Sequence, residues 1–309
     1  MMLYRITLTM TSPSATPWRA DTFFGHLCWG MAYMEGEGAL RDFLASMAGA
    51  DPPLVLSDGC PGDFLPRPIQ GPGPRTGGSL EERREAFDRA KAEKRRRWLT
   101  LGEFEAARAG EPLPSPAREL PSWLREDWDV TFRNTIRRDT GTTGETGEGG
   151  LHAHESFWWP TVTFYARLGE GMPETRLSRL LAYVVETGYG KEKSRGLGRV
   201  GSFALAPFEG FVAAREVNGF VALSTFVPAQ SDPTEGAWRV LVKYGKVSEG
   251  LSATEHPFKR PLVMLEAGAT FRTGEPTKEW YGRMVDGIYP DDPSVKQYGL
   301  TLAAPCRVR

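Results

Sequence analysis

The stretch Gly188-Tyr-Gly-Lys-Glu-Lys-Ser-Arg-Gly-Leu-Gly-Arg-Val-Gly201 is the most distinctive part of the sequence. Its four basic side chains are Lys191, Lys193, Arg195 and Arg199. One acid opposes them, so the net charge is +3 within fourteen residues of a chain whose formal net charge is −1. Glycines let a backbone approach a ligand and present its amide N–H groups, while lysine and arginine neutralise phosphates. This glycine-rich loop (residues 188–201) therefore favours contact with a phosphate backbone.

Three other interpretations of the loop have to be weighed. Glycines within residues 196–201 match the dinucleotide fingerprint G-x-G-x-x-G, but that motif follows a strand and opens a helix. Here Thr175–Thr187 has the apolar stripe of a helix and Val200–Ala206 has a strand pattern, so the order is reversed. A Walker A loop needs Ser or Thr after its Gly-Lys pair, and Glu192 stands there. Nucleic-acid contact and a merely flexible exposed turn both remain open on composition.

Composition limits what kind of protein this is. The 309 residues suffice for one large domain or two smaller ones, and 35 Gly and 24 Pro predict many turns and long loops. Because the net charge is near zero, any polyanion site must be a local patch. Three widely spaced cysteines fit neither a disulfide framework nor a zinc ribbon. No apolar run approaches a membrane span. We expect a soluble, cytoplasmic protein without cofactor or metal.

The first two hundred residues alternate between strand and helix patterns. Near-alternating apolar residues over Leu3–Thr11 predict a strand, and Asp21 is a candidate N-cap for a helix over Thr22–Met34. A short helix over Gly38–Met47 follows. A turn-rich excursion then begins, in which Ser79 and Glu82 form a capping box.

The second part of this region returns to regular structure. The low-complexity segment Thr140–Gly150 predicts a mobile loop, and Glu155–Leu168 reads as a strand. The resulting order of strand, helix, excursion, strand, helix, loop and strand suits an α+β, ferredoxin-like unit over residues 1–207, with an insertion at about 68–150. A second unit, residues 208–309, has these strand candidates: Phe220–Val227, Trp238–Val247, Pro261–Phe271 and Gly299–Val308.

Short motifs along the chain resemble those of a known family. They are Phe24-Gly-His-Leu-Cys-Trp29, Leu56-Ser-Asp-Gly59, Phe64-Leu-Pro-Arg-Pro68, Arg133-Asn-Thr-Ile136, Thr140-Gly-Thr-Thr143, Lys243-Tyr-Gly-Lys246, Pro257-Phe-Lys259 and Gln297-Tyr-Gly299. Together with the glycine-rich loop they resemble the RAMP-superfamily subunit of type III-A (Csm) CRISPR effector complexes that caps the crRNA 5′ end. The first motif favours this branch over the corresponding type III-B subunit.

The resemblance carries implications for fold, ligand and partners. It implies two ferredoxin-like (RRM-like) domains, recognition of the crRNA 5′ handle, and a non-catalytic role in antiviral defence. The partners it implies are the large polymerase-type subunit and the backbone RAMP subunit. It also implies a thumb-like insertion, which we expect between Pro68 and Gly150, that disturbs the guide–target duplex at its edge.

The residues expected to bind RNA form three groups and one isolated side chain. In the glycine-rich loop they are Gly188, Gly190, Lys191, Lys193, Ser194, Arg195, Gly196, Leu197, Gly198 and Arg199. Beside the Thr/Gly segment they are Arg133, Asn134, Arg137, Arg138 and Thr142, although ordinary surface positions explain these arginines equally well. The third group, Lys243, Tyr244, Lys246 and Lys259, combines cations with a stacking ring; core or edge-strand placement is equally consistent.

The isolated side chain is His26, which we expect to be packed or to contact RNA. Some RAMP ribonucleases keep a histidine near this place, so a metal-independent ribonuclease that processes crRNA with His26 is the alternative function. Catalysis would require a partner acid or base within hydrogen-bond reach. The pair His152 and His154 would share one face of a strand, but no Cys or third His stands nearby in the sequence, so a metal site is disfavoured.

Overall fold

The computed structural model describes residues 2–71, 79–84, 87, 96–111, 113, 121–124, 128–136, 138–143, 150–212, 216–247, 257–274 and 277–308. Within these ranges the chain is a mixed α/β structure with several small antiparallel sheets and few helices. The helices are α1 (Ala20–Glu35), α2 (Glu37–Ser46), α3 (Leu101–Arg108) and α4 (Glu174–Thr187). No helix in this part of the chain is long and apolar enough to cross a membrane.

The strands are numbered along the chain. Those of the first two hundred residues are β1 (Met2–Met10), β2 (Leu54–Leu56), β3 (Cys60–Pro61), β4 (Leu65–Pro66), β5 (Trp98–Leu99), β6 (Asp129–Arg133), β7 (His152–Ser156), β8 (Thr161–Leu168) and β9 (Val200–Phe208). The later ones are β10 (Gly219–Ala222), β11 (Gly236–Ala237), β12 (Val240–Lys243), β13 (Leu262–Leu265), β14 (Thr270–Arg272), β15 (Trp280–Gly282) and β16 (Leu300–Cys306).

The N-terminal sheet has the strand order β2-β8-β1-β9, with β3 also paired to β8. Every pairing is antiparallel, and Ile6 in the central strand lies between Phe164 of β8 and Leu205 of β9. The alternation that predicted β1 is confirmed, because its side chains are buried at every second position over most of the strand. The stripe that predicted α4 is buried as well, at Leu177, Leu180, Leu181 and Val184. Helices α1 and α4 and the five strands of this sheet form the scaffold that holds the glycine-rich loop.

The start of α1 differs from the sequence-based prediction. Asp21 is not the N-cap: Arg19 occupies that position without a side-chain cap, and Asp21 lies inside the first turn. The amide of Ala20 donates instead to Oδ1 of Asp58, at 2.8 Å. The other carboxylate oxygen of Asp58 accepts from the amide and the hydroxyl of Thr225, at 2.9 and 2.7 Å. A distant residue therefore caps α1 and ties it to the C-terminal half, which local sequence spacing does not reveal.

The C-terminal half is built from strands in the residues described. Its main sheet has the order β11-β14-β10-β16-β15, and β12 and β13 form a separate two-stranded ribbon. Each of the four predicted strand segments contains at least part of an observed strand, whereas the short strands β11 and β15 were missed. No helix occurs in the described ranges 216–247, 257–274 and 277–308. The coarser prediction of a mixed α/β fold therefore holds.

One hydrophobic core crosses the predicted domain boundary. Phe164 of the N-terminal sheet and Leu223 and Leu302 of the C-terminal half belong to the same buried cluster. Tyr298 joins the two halves directly: its hydroxyl accepts a hydrogen bond from the amide of Leu56 at 2.8 Å, and its ring centroid lies 4.8 Å from that of Phe24. The two sheets are consequently packed as one body across this contact.

The described residues include several separate parts of the predicted insertion at about 68–150. The capping box of Ser79 and Glu82 is confirmed, with reciprocal hydrogen bonds of 2.8 and 3.2 Å. Helix α3 is anchored by Arg108, which is 1% exposed and donates to the carbonyl oxygens of Val212 and Pro305. Strands β6 and β7 pair as an antiparallel hairpin. The hairpin side chains of Val130 and Phe132 are exposed.

Candidate RNA-binding site

The glycine-rich loop lies between the end of α4 and the start of β9, in the order the sequence predicted. Its path requires several left-handed backbone conformations, with φ between 65° and 86° at Gly188, Gly190, Glu192, Gly196 and Gly198. Glycine adopts such conformations without steric cost, which explains the spacing of glycines along the segment. A single short helical turn covers Lys193–Arg195.

At two of these positions, close contacts with neighbouring atoms also leave no room for any side chain. A Cβ atom on Gly198 would lie 1.9 Å from the carbonyl oxygen of Tyr189, and one on Gly190 would lie 2.6 Å from Cβ of Thr16. The amide of Tyr189 donates to the carbonyl of Gly198 at 2.8 Å, and the amide of Gly198 donates to Pro13 at 2.7 Å. The two ends of the loop are therefore closed against each other and against the segment after β1.

Tyr189 fastens the base of the loop. Its ring stacks on Trp18, with centroids 3.7 Å apart and planes at 13°. Its hydroxyl donates to the carbonyl of Pro17 at 2.6 Å and accepts from the amide of Arg19 at 3.1 Å. Burial raises the pKa of Tyr189 well above its ordinary value, so this hydroxyl stays protonated. Sequence reasoning missed Tyr189, because nothing in the pattern shows that a tyrosine between two glycines points inward.

His26 supports the loop from α1. Its Nε2 accepts a hydrogen bond from the amide of Gly190 at 2.9 Å. Burial, and secondarily the charge of Lys193, lowers the pKa of His26 to about 3. The imidazole is therefore neutral at physiological pH, and the nitrogen facing the loop acts as an acceptor. This arrangement favours the packed role for His26 over proton transfer.

Most backbone amides of the loop are already used within the protein. Those that donate to protein acceptors are Gly188, Tyr189, Gly190, Lys191, Arg195, Gly196, Leu197, Gly198 and Arg199. The expectation that the loop presents its amides to a ligand is therefore wrong at these positions. Its exposed side chains are Lys191, Ser194, Arg195 and Arg199, with Lys193 partly buried. Any contact of the loop with a polyanion would therefore be made by these cationic side chains.

Glu192 links the loop to the β6–β7 hairpin. Its carboxylate lies 2.9 Å from Arg195, 3.6 Å from Arg133 and 3.5 Å from Nε2 of His154. His152 and His154 share one face of β7 as predicted, and the described residues contain no group of three or more His, Cys, Asp or Glu able to hold a metal ion. Glu192, the only acid of the loop, thus contacts Arg195 within the loop as well as Arg133 and His154 of the hairpin.

The remaining predicted residues beside the hairpin are placed at the surface. Asn134, Arg138 and Thr142 are exposed, and Arg137 lies outside the described residues. Arg133 is partly buried because it points towards Glu192. Among the members of this group that the structure describes, only Arg133 has a contact that brings it to the glycine-rich loop.

The third predicted group lies on the other side of α1. Lys243 forms an ion pair with the buried carboxylate of Asp21. The same carboxylate accepts a hydrogen bond from the side-chain amide of Gln297. Nζ of Lys243 also lies 3.1 Å from the hydroxyl of Thr22. Lys259 lies 3.4 Å from Oε1 of Gln297, and burial lowers its pKa. The charge of Lys243 is thus balanced inside the protein.

Two residues of that group remain accessible. Tyr244 is 77% exposed, and Lys246 is exposed on the chain that continues from β12. They retain the cation and the ring that sequence reasoning assigned to RNA contact. The structure separates the group into a partly buried pair near α1, Lys243 and Lys259, and an exposed pair after β12, Tyr244 and Lys246.

Comparison with known proteins identifies the fold. No family model matches the chain, and no curated protein matches its sequence. A chain of the Csm1–Csm4 cassette in complex with cA4 matches with a TM-score of 0.62 and 18% identity, over 99% of each chain. A chain of the same cassette with AMPPNP gives a TM-score of 0.63 and 16% identity, over 100% of this chain and 99% of that one. A chain of the Csm3–Csm4 subcomplex of the type III-A CRISPR–Cas interference complex gives 0.61 and 10%, over 99% and 100%.

The fold is thus shared with a chain of these Csm assemblies. More specifically, it is the fold of Csm4, which is the subunit common to these structures. The likeness extends over essentially the whole chain, including both halves and the loop between α4 and β9.

Proposed function

We propose that this chain is the Csm4-like subunit of a type III-A CRISPR complex and anchors the 5′ handle of the crRNA without catalysing a reaction. The observation that carries the proposal is the glycine-rich loop, whose backbone is locked onto α1 while its cationic side chains face outward. A hydrogen-bonded loop with exposed cations is suited to holding an RNA backbone, since phosphates are recognised by charge and position.

The proposal extends to the domains. The N-terminal sheet order, with α1 and α4 in the two crossovers, supports a ferredoxin-like unit over residues 1–207. A second ferredoxin-like domain over 208–309 rests on the sequence resemblance, because the described residues there form strands and no helix. Strand β6 lies within the proposed insertion at about 68–150, and its hairpin partner β7 follows directly after the end of that insertion.

The proposed partners follow from the assemblies in which the neighbours were solved. Those neighbours come from Csm1–Csm4 cassettes and a Csm3–Csm4 subcomplex. By analogy, the present chain would bridge a large polymerase-type subunit and a backbone RAMP subunit in the cytoplasm. The β6–β7 hairpin would then lie close to the target RNA at the edge of the guide–target duplex.

A non-catalytic role is supported by the state of His26. A general acid or base works best with a pKa near the working pH, whereas burial holds the pKa of His26 at about 3. Its Nε2 is occupied by the amide of Gly190. The ribonuclease alternative would require this same nitrogen, or its partner, to exchange protons with RNA.

The test is RNA affinity at several salt concentrations. We expect the combined change Lys191→Ala, Lys193→Ala and Arg195→Ala to weaken binding of handle-containing RNA. The slope of log affinity against log salt should fall by about 0.7 for each lost phosphate contact. A matched control removes three cations elsewhere, Arg41→Ala, Arg239→Ala and Arg272→Ala. If both triple variants bind like the unmodified protein, the loop does not hold RNA and the proposal is wrong.

A further inference from the structure

The outward side of α1 carries, beside His26, further residues that the proposed handle site leaves unused. The less buried positions include Thr22, Gly25, His26, Trp29 and Tyr33, which recur at the spacing of one helix face. We call this set the outer α1 face. It begins beneath the glycine-rich loop, where His26 accepts from Gly190, and runs from there along the helix towards its C-terminal end.

The far part of this face is aromatic. Tyr33 is 61% exposed, and its ring centroid lies 5.8 Å from that of Trp29, one turn earlier, with planes at 29°. Tyr183 of α4 adds a third ring 6.1 Å from Tyr33. The exposed ring of Tyr33, backed by the partly buried ring of Trp29, offers a surface on which the flat face of a nucleobase can stack.

The near part of the face is open and polar. A Cβ atom on Gly25 would meet nothing within 4 Å, so the helix backbone is uncovered at that point. Thr22 and His26, on either side of it, are partly buried, and their polar atoms already contact Lys243 and the amide of Gly190. This part of the helix therefore offers room for a sugar–phosphate chain between the loop and the rings.

Cations flank the face on both sides. Lys193 of the glycine-rich loop lies close enough to His26 to influence its protonation electrostatically. On the opposite side Lys243 reaches the hydroxyl of Thr22 at 3.1 Å, and Lys259 lies near Cys28. The nearby acid Asp21 is buried and is bound by Lys243 and Gln297. Because Asp21 balances Lys243, the positive charge that complements a polyanion lies at the loop end of the face, with Lys193.

We propose that the outer α1 face is a nucleobase-stacking site for single-stranded RNA that continues from the glycine-rich loop, with Tyr33 and Trp29 as the stacking rings. This inference rests on the proposed function, because it assigns the path of the RNA beyond the phosphate-binding loop. Aromatic rings also occur at protein interfaces, but this face has an uncovered glycine and is continuous with the cationic glycine-rich loop, which favours RNA as its occupant.

The test separates stacking from phosphate contact. The probes are a fluorescent oligoadenylate dodecamer and the same backbone with abasic residues at alternate positions. We expect Tyr33→Ala to weaken oligoadenylate binding by about tenfold. Its affinity for the abasic probe and its salt slope should stay those of the unmodified protein, because no charge is lost. Tyr33→Phe keeps the ring and should bind normally.

Met34→Ala is the matched control, since Met34 is exposed beside Tyr33 but has no ring. The exposure of Tyr33 makes a folding defect in the alanine variant a minor concern, which thermal unfolding would verify. If Tyr33→Ala binds oligoadenylate like the unmodified protein, the stacking site is overturned and the face is left to a protein partner. If the unmodified protein binds neither probe, the proposed function fails together with this inference.

Discussion

The amide of Gly190 donates a hydrogen bond to Nε2 of His26, and this contact joins the glycine-rich loop to α1. Replacing His26 by Ala leaves the amide without its acceptor, at a cost of about 1–3 kcal/mol in loop stability. We expect His26→Ala to weaken RNA affinity, while His26→Gln retains an acceptor and binds more tightly than the alanine variant. Repeat RNA incubated with the unmodified protein should remain intact on a gel. Cleavage that disappears in His26→Ala would instead establish the ribonuclease function.

The same histidine predicts a pH dependence of stability. The pKa of His26 is about 3 in the folded protein, against about 6.5 for an unperturbed histidine. Below pH 6.5 the unfolded chain therefore takes up a proton that the folded protein does not. The free energy of unfolding should fall by up to about 1.4 kcal/mol per pH unit from this group as the pH drops towards 3.

Urea unfolding between pH 7 and pH 4 measures this effect. In His26→Gln the contribution is absent, so its stability should decline less steeply than that of the unmodified protein. Parallel curves for the two proteins would mean that His26 titrates normally in the folded state.

Two glycines of the loop should respond differently to alanine. At Gly198 a Cβ would lie 1.9 Å from the carbonyl oxygen of Tyr189, whereas at Gly196 it would meet nothing within 4 Å. Both have positive φ, so Gly196→Ala should cost only the left-handed strain of about 1–2 kcal/mol. Gly198→Ala should cost more and lower RNA affinity more strongly. Thermal unfolding and RNA titration of both variants compare the two effects; equal losses would contradict the close contact.

Asp58 provides a prediction for the fold itself. Its carboxylate accepts hydrogen bonds from Ala20 and Thr225 in a buried site. Asp58→Asn turns an amide group towards one of these donors, and we expect a loss of about 3 kcal/mol in the free energy of unfolding. Asp63→Asn is the control, because its carboxylate is 81% exposed. A loss at position 58 no larger than at position 63 would show that the cap does not hold the halves together.

Glu192 should control the attachment of the β6–β7 hairpin. Glu192→Gln removes the charge that Arg133 and His154 approach, so amide exchange in β6 and β7 should become faster. Glu155→Gln removes an equal charge from the opposite face of the hairpin and should leave exchange unchanged. Hydrogen exchange followed by mass spectrometry compares the two variants. Unaltered exchange in Glu192→Gln would mean that other contacts dock the hairpin.

Sequence periodicity was sufficient for the main elements of the N-terminal sheet. Strand β1 and helix α4 follow the periods of two and 3.6 residues because each has one face against the core. Strands β11 and β15 escaped prediction because they span only two and three residues, too short for a period to register. Their existence depends on pairing with β14 and β16, which is a property of the assembled sheet.

The candidate site was predictable in composition but not in geometry. The cations and glycines of residues 188–201 stand in the sequence, and they mark the loop without any structure. The supports of the loop come from elsewhere: Pro13, Thr16 and His26 accept its amides across more than 160 residues of chain. Charge balance also depends on the fold, since only the tertiary structure sets Lys243 against Asp21.

The satisfied amides of the glycine-rich loop bear on the thermodynamics of assembly. A loop that is ordered before its ligand arrives loses little conformational entropy on binding, in contrast to segments that fold around RNA. Association should then show a small heat-capacity change and be driven mainly by release of counterions from the RNA. A subunit whose binding loop is already ordered could take up RNA before or after it joins other proteins.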